Sequence, residues 1–90
     1  MTDKVDELLD EREQTHGPAA ETFEIGINFV NVVVNSGAVT SESLRPHHFA
    51  ILNILHKIAR ILCGSYNPDH WDDIEGYARL GKKIQENNNA

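Results

Sequence analysis

The chain lacks most of the features by which specialised sites are recognised. It has one cysteine, Cys63, in 90 residues, which excludes an internal disulfide framework and suits a reducing compartment. No apolar run approaches the roughly 20 residues of a membrane span. Cations are scarce: eight Lys and Arg stand against fourteen Asp and Glu, for a net charge of −6. Bulk attraction to nucleic acid or to an anionic membrane needs a basic face, so neither is expected. The sequence holds no glycine-rich phosphate loop, no HExxH helix and no Cys/His spacing suited to zinc. The acidic start, MTDKVDELLDE, has no signal-peptide apolar region, and a cytoplasmic location is expected.

What is present reads as one small all-α domain spanning residues 1–90, with a frayed tail at 85–90. A core of this size supplies only about 5 kcal/mol of net stability. Residues 2–15 form an amphipathic helix with Val5, Leu8 and Leu9 as its stripe, closed by Gly17 and Pro18. Residues 18–36 carry four valines that favour strand, but Phe23, Ile27, Val30 and Val34 recur at helical spacing. The helix they predict is apolar around most of its circumference. One face is expected to pack in the domain and another against a second subunit, giving a homodimer or higher homo-oligomer. Asn35-Ser36-Gly37 stops it, and residues 38–45 are a loop with Thr40, Ser41 and Ser43 as candidate caps.

Pro46 opens a third helix whose buried stripe is expected to be Ile51, Ile54, Leu55, Ile58, Ile61 and Leu62. Asn53, His56, Lys57 and Arg60 lie on its other side, and Gly64 ends it. Asn67 caps the fourth helix, with Pro68 at its first position and Asp69, Asp72 and Asp73 near its positive end. Ile74, Tyr77, Ala78 and Gly81 form its inward stripe. Asp72, Glu75, Arg79, Lys82 and Lys83 form a solvated face.

Two polar residues of the fourth helix break this pattern. His70 and Asp73 fall inside the apolar arc, in line with Tyr77. A buried carboxylate needs a partner, and Lys57 and Arg60, one turn apart, are the bases within reach. Either Asp73 and a base staple two helices together, or these groups line a polar pocket for an anionic, nucleotide-like ligand. Metal ligation has less to stand on. Glu21-x-x-Glu24 with Asn28 is a hard-cation pair on paper, suited to magnesium, but a solvated acidic face is the preferred reading. Cys63 at a helix C-terminus is poorly placed to form a thiolate, so nucleophilic catalysis has little support.

Three motifs carry a resemblance over nearly the whole chain. Glu11-Arg12-x-x-Thr15-His16-Gly17, Lys57-Ile58-Ala59-Arg60-Ile61 and Asp69-His70-Trp71-x-Asp73-Ile74-x-Gly76-Tyr77-Ala78 resemble a family of small tailed-phage and prophage proteins. The later two are more distantly similar to the phage nucleotide-modification-associated domain and to the MazG-like all-α nucleotide pyrophosphohydrolases. The latter hold magnesium with an ExxE and an ExxD pair. At those places this chain has Lys57-x-x-Arg60 and His70-x-x-Asp73, so only Asp73 carries over as an acid. The resemblance therefore implies a MazG-like helical bundle, oligomeric, acting in the cytoplasm of an infected bacterium, without the carboxylates for hydrolysis.

The leading expectation is a phage accessory protein that binds a nucleotide or other phosphorylated small molecule without turnover. Lys57 and Arg60 would hold phosphate, Asp73 would orient them, and His70 or Tyr77 would touch base or sugar. No cofactor is needed for this, and magnesium enters only in one alternative. That alternative is a residual MazG-like pyrophosphohydrolase using Glu21, Glu24 and Asp73. The other is an acidic anti-defence protein that blocks a host enzyme.

Overall fold

A computed structural model of the chain describes residues 4–7 and 19–89. All regular structure among them is helical: α1 at residues 4–7, α2 at Ala19–Asn35, α3 at Pro46–Cys63 and α4 at Pro68–Asn89. The all-α expectation holds. Within α1 Val5 is exposed, and the rest of the expected first helix lies outside the described residues, as do Leu8, Leu9 and the Thr15-His16-Gly17 motif.

Local chemistry accounts for the ends. α2 stops where Gly37 takes a φ of +75°, a left-handed conformation that a side chain would strain. Ser36 helps by donating its hydroxyl to the Val33 carbonyl at 2.6 Å. Pro46 takes the first position of α3 as expected. The cap of α3 differs from expectation. Thr40 and Ser43 close a turn on each other, the Thr40 N–H donating to Ser43 Oγ at 2.7 Å. The end of α3 is instead met by His48, whose Nδ1 accepts the Arg45 N–H at 2.8 Å. A serine or threonine caps only when it directly precedes the helix, and Arg45 holds that place. At α4, Asn67 Oδ1 accepts the Asp69 N–H at 3.0 Å, ahead of Pro68.

α3 is the central element. α4 packs along one flank of it and α2 along the other, while α2 and α4 hardly touch. This corrects the picture of α3 as a helix with one buried stripe. Asn53, His56, Lys57 and Arg60 are half-buried beside the apolar residues, whereas Ile51 and Leu62, expected inside, are exposed. Two packed flanks leave no single polar side. The α3–α4 flank is close-set: a Cβ built on Gly81 would come within 3.0 Å of the Ala50 Cβ. Ala78, expected inward, is exposed on the α4 surface, while Ile74 and Tyr77 are half-buried.

Full burial is rare. Among the described residues only Thr22, Ala50, Ala59 and His70 reach it. Large apolar side chains such as Phe23, Ile27, Val34 and Leu44 are more than half exposed. Each therefore realises only a fraction of the roughly 1.5–3 kcal/mol that complete burial would give.

Candidate functional site

Lys57, Arg60, His70 and Asp73, singled out above, lie on the C-terminal part of α3 and the first two turns of α4. Lys57 Nζ lies 2.8 Å from Asp73 Oδ2, an ion pair that joins α3 to α4. The lysine is the buried member, with its side chain 16% exposed, whereas the carboxylate is 46% exposed. The expectation of a buried Asp73 is thus corrected: the acid sits at the rim of the α3–α4 flank and reaches a base held inside it. A long aliphatic stem lets lysine cross a packed flank, whereas aspartate has a single methylene. The Lys57 ammonium beside Asp73 holds its carboxyl below the ordinary value of 3.8, with smaller help from His70 and Arg60 and against a modest effect of burial.

Arg60 is placed differently. Its Nε donates to His56 Nε2 at 3.3 Å, one turn back on α3. That bond requires His56 to be neutral at Nε2. Burial, with the nearby charges of Arg60 and Lys57, pushes the imidazole below its ordinary 6.5 and favours this form. His56 in turn faces Phe23 of α2, with ring centroids 6.4 Å apart. The guanidinium is fixed through Nε, and its two terminal nitrogens make no hydrogen bond among the described residues. His56 was placed on the outer side of α3 by sequence and has no expected role. Its i, i+4 spacing to Arg60 is the signal that could have drawn attention to it.

His70 is buried, 1% exposed, in the first turn of α4 and lies close enough to lower the Asp73 pKa. Tyr77 is not brought to the cluster. It lies over Ala50, lining a groove of about 270 Å³ with Ile54, Gly81 and Lys82, and a second of about 250 Å³ with Phe49 and Leu80. Glu21 and Glu24 are exposed on α2. Among the described residues no three His, Cys, Asp or Glu side chains gather as metal ligands.

The arrangement offers an arginine fork held at Nε, a lysine locked to an acid and a buried imidazole along about one turn of each of two helices. It presents no activated nucleophile. No described helix is long and apolar enough to cross a membrane.

Neither the curated proteins nor the solved structures contain a match to the chain. Residues 1–85 match the DUF6378 family, described as a domain of unknown function, and the chain belongs to that family.

Proposed function

We propose that this chain binds a nucleotide or another phosphorylated small molecule without turning it over. The observation that supports this most is the state of Arg60. His56 takes its Nε, which helps to set the plane of the guanidinium, and the terminal nitrogens make no hydrogen bond among the described residues. A planar, oriented fork suits the paired oxygens of a phosphate. Lys57 adds positive potential from the flank, and Asp73 holds it in place. His70 is buried in the first turn of α4, near Asp73. Tyr77 reaches a ligand only if the ligand extends a turn along α4. In this reading the protein is phage-encoded, has a MazG-like layout and works in the bacterial cytoplasm. Cations take the place of the magnesium carboxylates. Magnesium at Glu21 and Glu24 belongs to the hydrolase alternative.

The test is calorimetric titration with mono-, di- and cyclic nucleotides. Wild type is expected to bind at least one class, Lys57→Ala to bind weakly, and Arg60→Lys to lose affinity although the charge is kept. Wild type binding none of them would reject the reading. Binding untouched by either substitution would move the pocket elsewhere.

A second reading has its own observation. Leu62, Tyr66 and Trp71, near the α3–α4 turn, are 64%, 82% and 57% exposed. Aromatic residues of this kind anchor protein interfaces, which supports a module that blocks a host enzyme. That reading leads if no nucleotide binds.

A further inference from the structure

The charges of the candidate site do not balance. Lys57 is neutralised by Asp73 of α4 at 2.8 Å. Arg60 has no carboxylate partner among the described residues, and its Nε donates to the neutral ring of His56 at 3.3 Å. Two cations, one acid and one neutral imidazole leave a single net positive charge, carried by half-buried side chains of α3. A phosphodiester or cyclic phosphate carries one negative charge and would cancel it. A phosphate monoester carries about −1.5 to −2 near neutral pH and would leave negative charge over. Uncompensated charge at half-buried groups is disfavoured.

His56 is the member of the cluster whose charge can follow that of a ligand. Imidazole is the side chain that ordinarily changes charge between about pH 5 and pH 8. In the free chain burial, and then the charges of Arg60 and Lys57, hold the ring below its ordinary 6.5. A doubly charged phosphate seated on Arg60 offsets those charges and draws a proton onto the ring. The hydrogen bonds change to match. Protonation ends the acceptor role of Nε2 toward Arg60 Nε and makes it a donor beside the fork. One bond from a charged donor to a neutral acceptor gives way to bonds in which both members are charged, the stronger kind. Neutral His56 steadies the fork of the free chain, and the phosphate steadies it in the complex.

Among the described residues, Lys57 and Arg60 of its own helix are the charges that act on His56. α2 faces it with the Phe23 ring, at 6.4 Å between centroids, and with Thr22, neither of them titratable. Glu21 and Glu24 of the same helix are exposed. α4 brings Asp73, already bound to Lys57, and His70 near Asp73. Given a phosphate at Arg60, as proposed above, we infer that the ligand is a phosphate monoester, bound as its dianion together with one proton on His56. Monoester over diester is then a choice made by charge, and His56 is the residue that makes it.

The probes are nucleoside monophosphates and the matching cyclic monophosphates, which present the same base and sugar with two charges or one. Calorimetric titration in buffers of different ionisation heat reads the protons taken up. Wild type is expected to take up protons with the monoester and to bind it about threefold or more tighter at about pH 6.5 than at about pH 8. The cyclic form should bind more weakly, with little uptake and a flat pH profile. His56→Gln keeps an acceptor for Arg60 but cannot become charged. It should bind the monoester about fivefold or more weaker at the lower pH, without proton uptake and without preference over the cyclic form. The ring-proton resonance of His56, identified by its loss in His56→Gln, should titrate at higher pH when the monoester is present. That measurement and the wild-type pH profile decide the matter even if His56→Gln fails to fold. Monoester binding with no proton uptake, an unmoved His56 titration, or uptake that persists in His56→Gln would overturn the assignment and leave the phosphate fork standing. A cyclic form bound more tightly than the monoester would do the same. Wild type binding neither probe would overturn the fork and the proton together.

Discussion

The two flanks of α3 are built from one helix yet reach opposite states. Toward α4 the chain closes: Gly81 admits Ala50, Lys57 reaches Asp73, and His70 is buried. Toward α2 hollows remain among the described residues, although that side is the more apolar by composition, with Ile27, Val30, Val33 and Val34 lining them beside Leu52 and Leu55. Hydrophobicity alone did not decide which flank is sealed. Close packing needs backbones that approach, and small residues opposite each other permit it on only one side. β-branched valines on α2 stand off from α3 and leave hollows between them. The difference teaches that a helix can be strongly apolar and still contribute little to its own chain's core.

The largest effect should come from breaking the closed flank. Gly81→Val puts methyl groups where even a single added Cβ would lie 3.0 Å from the Ala50 Cβ, and an overpacked site of this kind costs about 1–3 kcal/mol. Chemical denaturation should show it, with helicity partly kept. A loss below about 0.5 kcal/mol would mean that α3 and α4 are not closely set.

On the open flank, truncation should cost less than in a sealed core. Leu55→Ala, at a half-buried position, is expected to lose about 1–2 kcal/mol, short of the roughly 2–5 kcal/mol seen for fully buried leucines. A loss at the upper end of that range would show the hollow between α2 and α3 to be filled in solution, and the comparison of flanks would then collapse to equality.

The ion pair sharpens the comparison further, because it belongs to the closed flank alone. Asp73→Asn should lower the denaturation midpoint at neutral pH, whereas its neighbour Asp72→Ala, on the solvated face, should change stability by less than about 0.5 kcal/mol. The carboxyl of Asp73 is held below its ordinary 3.8, so its contribution is complete above that value and is lost as the pH falls below it. The gap between wild type and Asp73→Asn should therefore close in acid. A gap that persists well below the carboxylate range would remove the charge from the explanation.

The smallest effect belongs to the side chain between the flanks. His56 is held below its ordinary 6.5. The folded chain thus favours the neutral ring, and stability is complete above that value and declines as the pH drops through it. His56→Gln, which keeps an acceptor for Arg60, should flatten the pH dependence of the midpoint between neutrality and about 5 without moving it at pH 8. An unchanged slope would place the titrating group elsewhere.

Much of this fold was legible in advance. The end of α2, both ends of α3 and the start of α4 follow from Gly37, Pro46, Gly64 and the Asn67-Pro68 pair, whose effects are local, whereas α4 runs on to Asn89 through residues expected as a frayed tail. The solvated face of α4 was legible as well, since Asp72, Glu75, Arg79, Lys82 and Lys83 are all exposed. The candidate site was half legible. The pairing of Asp73 with a base on α3 was expected, but the buried member is Lys57, and the partner of Arg60 is His56, which carried no expectation. Tyr77 shares a stripe with Asp73 in sequence yet serves a different region of α3.

The sequence by itself determined where α2 stops, where α3 begins and ends, where α4 begins and which residues share a face, because capping, turn chemistry and the 3.6-residue period act within a few residues. Only the tertiary structure decided what stands opposite each face. Periodicity fixes a side chain's angle on its own helix but says nothing of which helix lies at that angle or how near it comes. Those depend on where two backbones can meet, and here Gly81 over Ala50 sets one approach. Lys57 then meets Asp73, and a hollow beside Gly26 remains among the described residues.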